Sequence, residues 1–291
     1  MSKMPITFLL KLVQIVGGLV AIAYLSACIY LVFWQNRFIF FPSSIIEITP
    51  AGLASFEDVW LPVLGSSGKV ERIHGWWIPG EGKQTVLYLH GNGINIGANV
   101  NHAMRFHQLG FSVLLIDYRG YGRSEGDFPT EASVYRDAET AWHYLTGERQ
   151  ISAKDIFIYG HSLGGAIAID LAAKHPEAAG LIVESSFTSM RNMVNERPVF
   201  QLFPADIILH QRFDSISKVR SLKMPVLFIH GMLDTEIPYG MSKMLFAAAP
   251  SPKRLFLVPD AGHNNVASIA GVEYLQTVQN FVRLATHSIN K

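Results

Sequence analysis

Cysteine is nearly absent. Cys28 is the sole example in 291 residues, which excludes an intrachain disulfide framework and any cysteine-based metal cluster. Charge is also scarce: Asp, Glu, Lys and Arg make up 16% of the chain, its formal net charge is +1, and it has no run of one sign. Without a basic patch there is no electrostatic footprint for nucleic acid, so no nucleic-acid partner is expected. Repeats and low-complexity segments are missing as well. His102 and His107 stand five apart with no acidic partner, a poor metal site, and no metal or nucleotide motif is present, so no cofactor is expected. What the chain has in quantity is apolar residues, 49%, enough for a sizeable core. Its length suits one large α/β domain with an appendage.

The appendage is N-terminal. From Leu12 to Trp34 there is no charged residue, and only Gln14, Gly17, Gly18 and Ser26 interrupt the apolar run. About 20 apolar residues cross a bilayer, and a core helix is rarely apolar on every face, so a single transmembrane anchor over residues 1–36 is expected. Lys3, Lys11 and the α-amine precede the run and Arg37 follows it. The positive-inside bias then places the N-terminus in the cytoplasm and the rest of the chain, residues 37–291, on the non-cytoplasmic side. Leu25-Ser26-Ala27-Cys28 also fits a bacterial lipobox. The apolar residues Ile29–Trp34 continue past it, however, where a lipoprotein would turn polar, and the segment exceeds the roughly 7–15 residues of a secretory signal core. An uncleaved anchor is the reading carried forward. Phe38–Pro42 is expected near the headgroups or packed onto the domain.

Beyond the anchor, strand-like and helix-like stretches alternate. Val59–Leu64 and Val70–Ile78 read as opening strands joined by the turn Gly65-Ser66-Ser67-Gly68. Further strands are expected at Gln84–Leu89, Ser112–Ile116, Asp155–Tyr159, Gly180–Val183, Pro225–Gly231 and Arg254–Pro259. Helices are expected at Thr130–Leu145, with Thr130 or Ser133 as cap, at Gly165–Lys174, and at Gly271–Ala285. Such alternation implies an α/β fold with a mostly parallel, doubly wound sheet.

Chemistry concentrates at strand ends. Gly160-His161-Ser162-Leu163-Gly164 joins a strand to a helix, the context of a nucleophile elbow, in which a strained turn lifts a serine hydroxyl above the sheet. Asp234 follows the strand ending at Gly231, and His263 follows the strand ending at Pro259. The order Ser162, Asp234, His263 is that of the α/β-hydrolases and differs from the chymotrypsin and subtilisin orders. Asp117, Asp260 and Glu236 compete for the acid position. Asp117 fits a rigid turn at the site rim better, and Asp260 ends its strand three residues before His263. His161 is too close to the nucleophile to turn onto it, while His90 and His230 read as structural histidines. Phe187, Met190, Met193, Val199, Phe200, Leu202, Phe203 and Pro204 are scattered through Ser185–Leu222, a short cap-like segment, and suit either an acyl groove or core packing. Arg212-Phe213-Asp214 is expected to anchor that segment.

From about Phe38 to Phe281 the chain resembles the membrane-tethered, ABHD-like serine hydrolases of the α/β-hydrolase superfamily, a branch with protein depalmitoylases and many bacterial relatives. The resemblance rests on His90-Gly91-Asn92-Gly93, Asp117-Tyr118-Arg119-Gly120-Tyr121-Gly122-Arg123-Ser124-Glu125-Gly126, the elbow, His230-Gly231 with Asp234, and Gly262-His263. It implies an α/β-hydrolase fold with a short cap. It places oxyanion donors at the backbone N–H groups of Asn92 and Leu163. The activity it implies is hydrolysis of esters or thioesters on a small-molecule or lipid-linked acyl substrate. A peptidase or amidase of the same fold and a catalytically silent membrane scaffold are the other readings.

Overall fold

The computed structural model describes residues 5–65 and 68–289; Lys3 and the amino terminus, and Ser66 and Ser67 of the expected turn, lie outside the described residues. Among the described residues there are ten strands: β1 Phe41–Pro42, β2 Glu57–Leu64, β3 Val70–Ile78, β4 Thr85–Leu89, β5 Gly93–Ile94, β6 Ser112–Ile116, β7 Ile156–His161, β8 Gly180–Glu184, β9 Val226–Gly231 and β10 Lys253–Val258. Eight of them form one sheet in the order β10-β9-β8-β7-β4-β6-β3-β2. β2 pairs antiparallel with β3, and β3 antiparallel with β6, while all other neighbours are parallel.

Burial explains the sequence patterns. Every residue of β4, β6, β8 and β9 is buried, as continuous apolar runs covered on both faces require. β2 alternates instead, because it is the sheet edge with one face in water. Along β7, Ile156 and Ile158 join one hydrophobic layer while Phe157 and Tyr159 join the other. The first layer takes in the helices Glu131–His143 and Leu163–Lys174; the second takes in Val100–Gln108 and Val272–Ile289. At Glu131–His143 both expected caps act together. The Thr130 side chain accepts from the Ser133 N–H, and the Ser133 side chain accepts from the Thr130 N–H. The parallel strands all run the same way, so the loops after β4, β6, β7, β8, β9 and β10 gather at one edge, where open α/β sheets bind ligands.

Two appendages cover that edge. Residues 185–222 break into short pieces, Met190–Asn195, Pro198–Leu202, Ala205–Ile208, Ser215–Lys218 and Val219–Ser221. Arg212-Phe213-Asp214 does anchor them: Phe213 is fully buried, its N–H donates to Glu131, and the Asp214 side chain caps the turn that follows. The other appendage is a helix, Ile6–Trp34, with no buried residue. Among the described residues it is the one helix long and apolar enough to cross a membrane. The chain after it does not drift at the surface. Ile39 and Phe40 are buried in the core, and Phe41–Pro42 pairs in parallel with Gly93–Ile94.

Candidate active site

Strand β7 delivers Ser162 in a conformation most residues avoid. Its φ is 55° and its ψ is −121°, immediately before the helix Leu163–Lys174. A non-glycine residue there costs on the order of 1–3 kcal/mol and persists only if its surroundings enforce it. They do: the Ser162 N–H donates to the Glu184 carbonyl at 2.9 Å, and the Ser186 hydroxyl donates to the Ser162 carbonyl at 2.8 Å. Glycine at 164 is a steric requirement. A Cβ there would lie 2.0 Å from the Leu89 carbonyl oxygen, so a side chain would drive the helix off β4.

The loops after β9 and β10 complete a hydrogen-bonded line. Ser162 Oγ lies 3.0 Å from Nε2 of His263, and Nδ1 of His263 lies 2.7 Å from Oδ2 of Asp234. With Nδ1–H donating to the carboxylate, Nε2 is left to accept from the serine hydroxyl. Burial opposes ionisation of Asp234. Hydrogen bonds from His230 and His263 and the backbone N–H of Ile237 override it and hold its carboxyl well below the usual range. Of the competing acids, Glu236 is exposed, with its carboxylate 3.9 Å from His263 Nε2 on the solvent side. Asp117 accepts from the Ile96 N–H at 2.8 Å and serves the turn after β6, and Asp260 is exposed.

The turn 117–122 proves to be the brace of the loop His90-Gly91-Asn92-Gly93. Tyr118 donates its hydroxyl to the His90 carbonyl at 2.9 Å, and Tyr121 donates to the Asn92 carbonyl at 2.7 Å. Phe41 N–H donates to the same Asn92 carbonyl at 2.9 Å, while the Asn92 side chain donates to the Ile39 carbonyl at 2.8 Å. The chain leaving the helix Ile6–Trp34 thus holds this loop from the other side. Arg119 in turn fixes the turn to the helix Glu131–His143 through a 2.8 Å ion pair with the buried Asp137.

Three contacts escaped the sequence. His102 does have an acidic partner: Glu184, contributed by the end of β8, lies 3.5 Å from its Nε2. Glu184 also accepts from Tyr159 and Tyr274, and burial opposes its charge, but His102 beside it and the Tyr274 hydrogen bond hold it down to about 2. Among the described residues, no group of three or more His, Cys, Asp or Glu side chains is placed to hold a metal ion. His161 donates Nε2–H to the His263 carbonyl at 3.1 Å, and burial together with nearby His263 lowers it to about 4, so it stays neutral. His230, read as structural, touches the acid directly, with Nε2 3.1 Å from Asp234 Oδ2. The first two pairs are far apart in sequence, so no local motif could have signalled them; His230 and Asp234 stand only four residues apart, and their contact depends on the turn after β9.

Ser162, Asn92 and Leu163 face a cleft of about 390 Å³. Phe187, Met190, Met193 and Phe200 of the cap-like segment line it, and so do Leu31 and Gln35 at the C-terminal end of the helix Ile6–Trp34.

Comparison with known proteins agrees with this architecture. Residues 80–217 match the family model described as serine aminopeptidase, S33. An uncharacterized Mycobacterium tuberculosis protein, Rv2307c, is 33% identical over 271 residues, covering 90% of this chain and 92% of its own. The chain belongs to the α/β-hydrolase superfamily. Alpha/beta hydrolase domain-containing protein 17B of Homo sapiens is 33% identical over 202 residues, 69% of this chain and 66% of that protein. Among solved structures, the Pyrococcus furiosus esterase Pf2001 superposes with a TM-score of 0.69 at 20% identity, over 84% of this chain and 99% of that one; that likeness speaks for the fold. The protein is therefore an ABHD-like hydrolase. Its site offers a hydroxyl, an imidazole and a carboxylate in series, with glycine-rich backbone beside them.

Proposed function

We propose that the chain is a membrane-anchored serine hydrolase that cleaves carboxylic ester or thioester bonds. The observation that carries this reading is the line Ser162–His263–Asp234, at 3.0 Å and 2.7 Å, with the serine in a strained turn at the floor of an apolar cleft. Ser162 Oγ attacks the acyl carbonyl while His263 Nε2 takes its proton. Asp234 keeps the imidazole oriented and stabilises its charged form. The backbone N–H groups of Asn92 and Leu163 receive the oxyanion. Collapse of the tetrahedral intermediate expels the alcohol or thiol, which takes the proton from His263. Water, deprotonated by His263, then attacks the acyl-enzyme and releases the acid, restoring Ser162. The helix Ile6–Trp34 spans the bilayer once, with Lys11 on the cytoplasmic side and the catalytic domain on the other.

The test is direct. A fluorophosphonate probe should label the wild type and not Ser162→Ala; labelling that survives the substitution removes Ser162 from the role.

One observation favours a second reading, an aminopeptidase. Glu236 is an exposed carboxylate beside His263 at the lip of the cleft, placed to pair with a substrate α-ammonium. Aminoacyl nitroanilides and p-nitrophenyl esters separate the two. Cleavage of the anilides that falls in Glu236→Gln, with little cleavage of esters, would select the peptidase.

A further inference from the structure

The membrane helix enters the cleft wall. Leu31 and Gln35 line it on one side, and Met190, Met193 and Phe200 of the cap line it on the other. Gln35 is the joint. Its Nε2 donates to the Val32 carbonyl at 3.0 Å and the Ile208 carbonyl at 3.1 Å, and its Oε1 accepts from the N–H groups of His210 at 2.8 Å and Gln211 at 3.1 Å. A primary amide has two donor hydrogens and two acceptor lone pairs, so all four of its bonding positions are used within the protein. The buried amide therefore presents no unmet polar group to the cleft, and this wall behaves as an apolar one.

Depth along the helix matters as much as contact. The Tyr24 hydroxyl donates to the Leu202 carbonyl at 3.0 Å, and the Tyr24 and Phe203 rings stack with centroids 5.7 Å apart. The cap thus follows the helix from Trp34 back to Tyr24, roughly 15 Å at 1.5 Å per residue. A hydrocarbon layer of about 30 Å that begins at Lys11 takes about 20 residues and ends near Leu31. Leu202, level with Tyr24, then lies inside the layer by roughly 10 Å, the depth reached by interfacial elements. Large apolar side chains are exposed where that geometry puts lipid: Val199 is 60% exposed, Leu202 71% and Ile207 78%. In water such a group of side chains would be unfavourable, while against acyl chains it costs nothing.

We propose that the end of the membrane helix is a substrate-binding element. Leu31 and the turn held by Gln35 form one wall of an acyl-chain groove that opens to the bilayer between helix and cap. The chain of a membrane-resident ester or thioester slides in sideways at the level of Leu31, leaving its carbonyl at Ser162 above the hydrocarbon. This rests on the serine hydrolase reading and names the part of the substrate that the site grips. It makes the anchor a component of the site rather than an exchangeable tether.

The test uses the full chain in lipid nanodiscs, with 4-methylumbelliferyl palmitate and butyrate as substrates. Leu31→Trp from the helix side and Met193→Trp from the cap side narrow the groove, and each should lower the palmitate-to-butyrate ratio of kcat/KM at least tenfold. A ratio that holds in both variants, or activities that fall in parallel, overturns the proposal. A wild-type measurement guards against misfolded variants. A long-chain alkyl fluorophosphonate with a diazirine at its far end, once bonded to Ser162, should crosslink to the peptide containing Leu31; crosslinks confined to other regions overturn the groove. Release of palmitate from a palmitoyl phospholipid or an S-palmitoyl peptide in the same discs identifies the source of the chain. Release from neither, while the methylumbelliferyl ester is cleaved, overturns sideways access. A wild type that neither reacts with the probe nor cleaves any ester removes the hydrolase reading and this proposal with it.

Discussion

His230 and His263 meet at one oxygen of Asp234: Nε2 of His230 lies 3.1 Å from Oδ2 and Nδ1 of His263 lies 2.7 Å from it. The other oxygen, Oδ1, accepts from the N–H groups of Glu236 and Ile237 at 2.8 and 2.9 Å. Nε2 of His230 also faces the Ile237 carbonyl at 3.0 Å. Two acceptors require the proton on Nε2, which leaves Nδ1 to accept from the Ser242 hydroxyl at 2.7 Å. His230 thereby fixes the carboxylate that fixes His263.

Replacing His230 with Phe keeps the bulk and deletes the donor. A hydrogen bond to a charged group is worth about 1.5–3 kcal/mol, so kcat should fall roughly 10- to 100-fold. KM should stay within about twofold, since the ring does not reach the cleft. Steady-state kinetics on p-nitrophenyl butyrate decide the matter. A lower Tm with kcat intact would mean that His230 only packs. Asp234→Asn removes the orienting charge itself and should cost more, on the order of 10⁴-fold in kcat.

Tyr121 is expected to act on the rate without touching substrate. Its hydroxyl and the Phe41 N–H hold the Asn92 carbonyl from two sides, which sets the plane of the peptide units beside Ser162. Tyr121→Phe loses one neutral hydrogen bond, about 1 kcal/mol, and kcat should drop roughly fivefold. This is far less than the 10²–10³-fold typical of deleting an oxyanion donor outright. An effect on KM with kcat unchanged would contradict a role in holding the loop.

Much of this arrangement was legible in the sequence because it is local. Continuous apolar runs marked β4, β6 and β9 to within a residue, since a strand buried on both faces has no polar alternation to blur its limits. The elbow was legible because Gly160 and Gly164 sit where strand and helix backbones nearly touch. The helices Val100–Gln108 and Gly240–Ala248 were not marked. The first is dotted with histidine, asparagine and glutamine, and the second follows a loop without a side-chain cap. Least legible were pairs joined only by the fold. Gln35 bonds Ile208 across 173 positions, and Glu184 reaches His102 from a different strand end. Such contacts leave no period and no motif.

Stability should depend on pH through His161. Its folded value lies at about 4 against an ordinary 6.5. Between those values the unfolded chain binds a proton that the folded chain refuses, so stability falls as pH drops from 6.5 towards 4 and is regained as pH rises. The full difference corresponds to about 3 kcal/mol. Thermal melts of wild type and His161→Gln at pH 7 and pH 4.5 test this. The glutamine variant should lose less on acidification than the wild type, and equal losses would assign the acid sensitivity to other groups.

Where the chain is cut should matter more than whether it is anchored. Removing residues 1–36 takes away Leu31 and Gln35 and opens the wall of the cleft, but it keeps Ile39 and Phe40 in the core and Phe41 on the Asn92 carbonyl. A chain beginning near Glu47 loses all of these, together with β1. Phe40 is 1% exposed, and Phe40→Ala alone should cost about 3–5 kcal/mol, as large-to-small changes in a packed core do. The longer fragment should therefore still react with a fluorophosphonate and cleave p-nitrophenyl butyrate in detergent. The shorter one should melt at a markedly lower temperature and lose that activity, because the loop around Asn92 loses its support from Ile39 and Phe41. Equal activity and equal melting of the two fragments would show that the segment from Phe38 to Pro42 only links the helix to the domain and does not build the site.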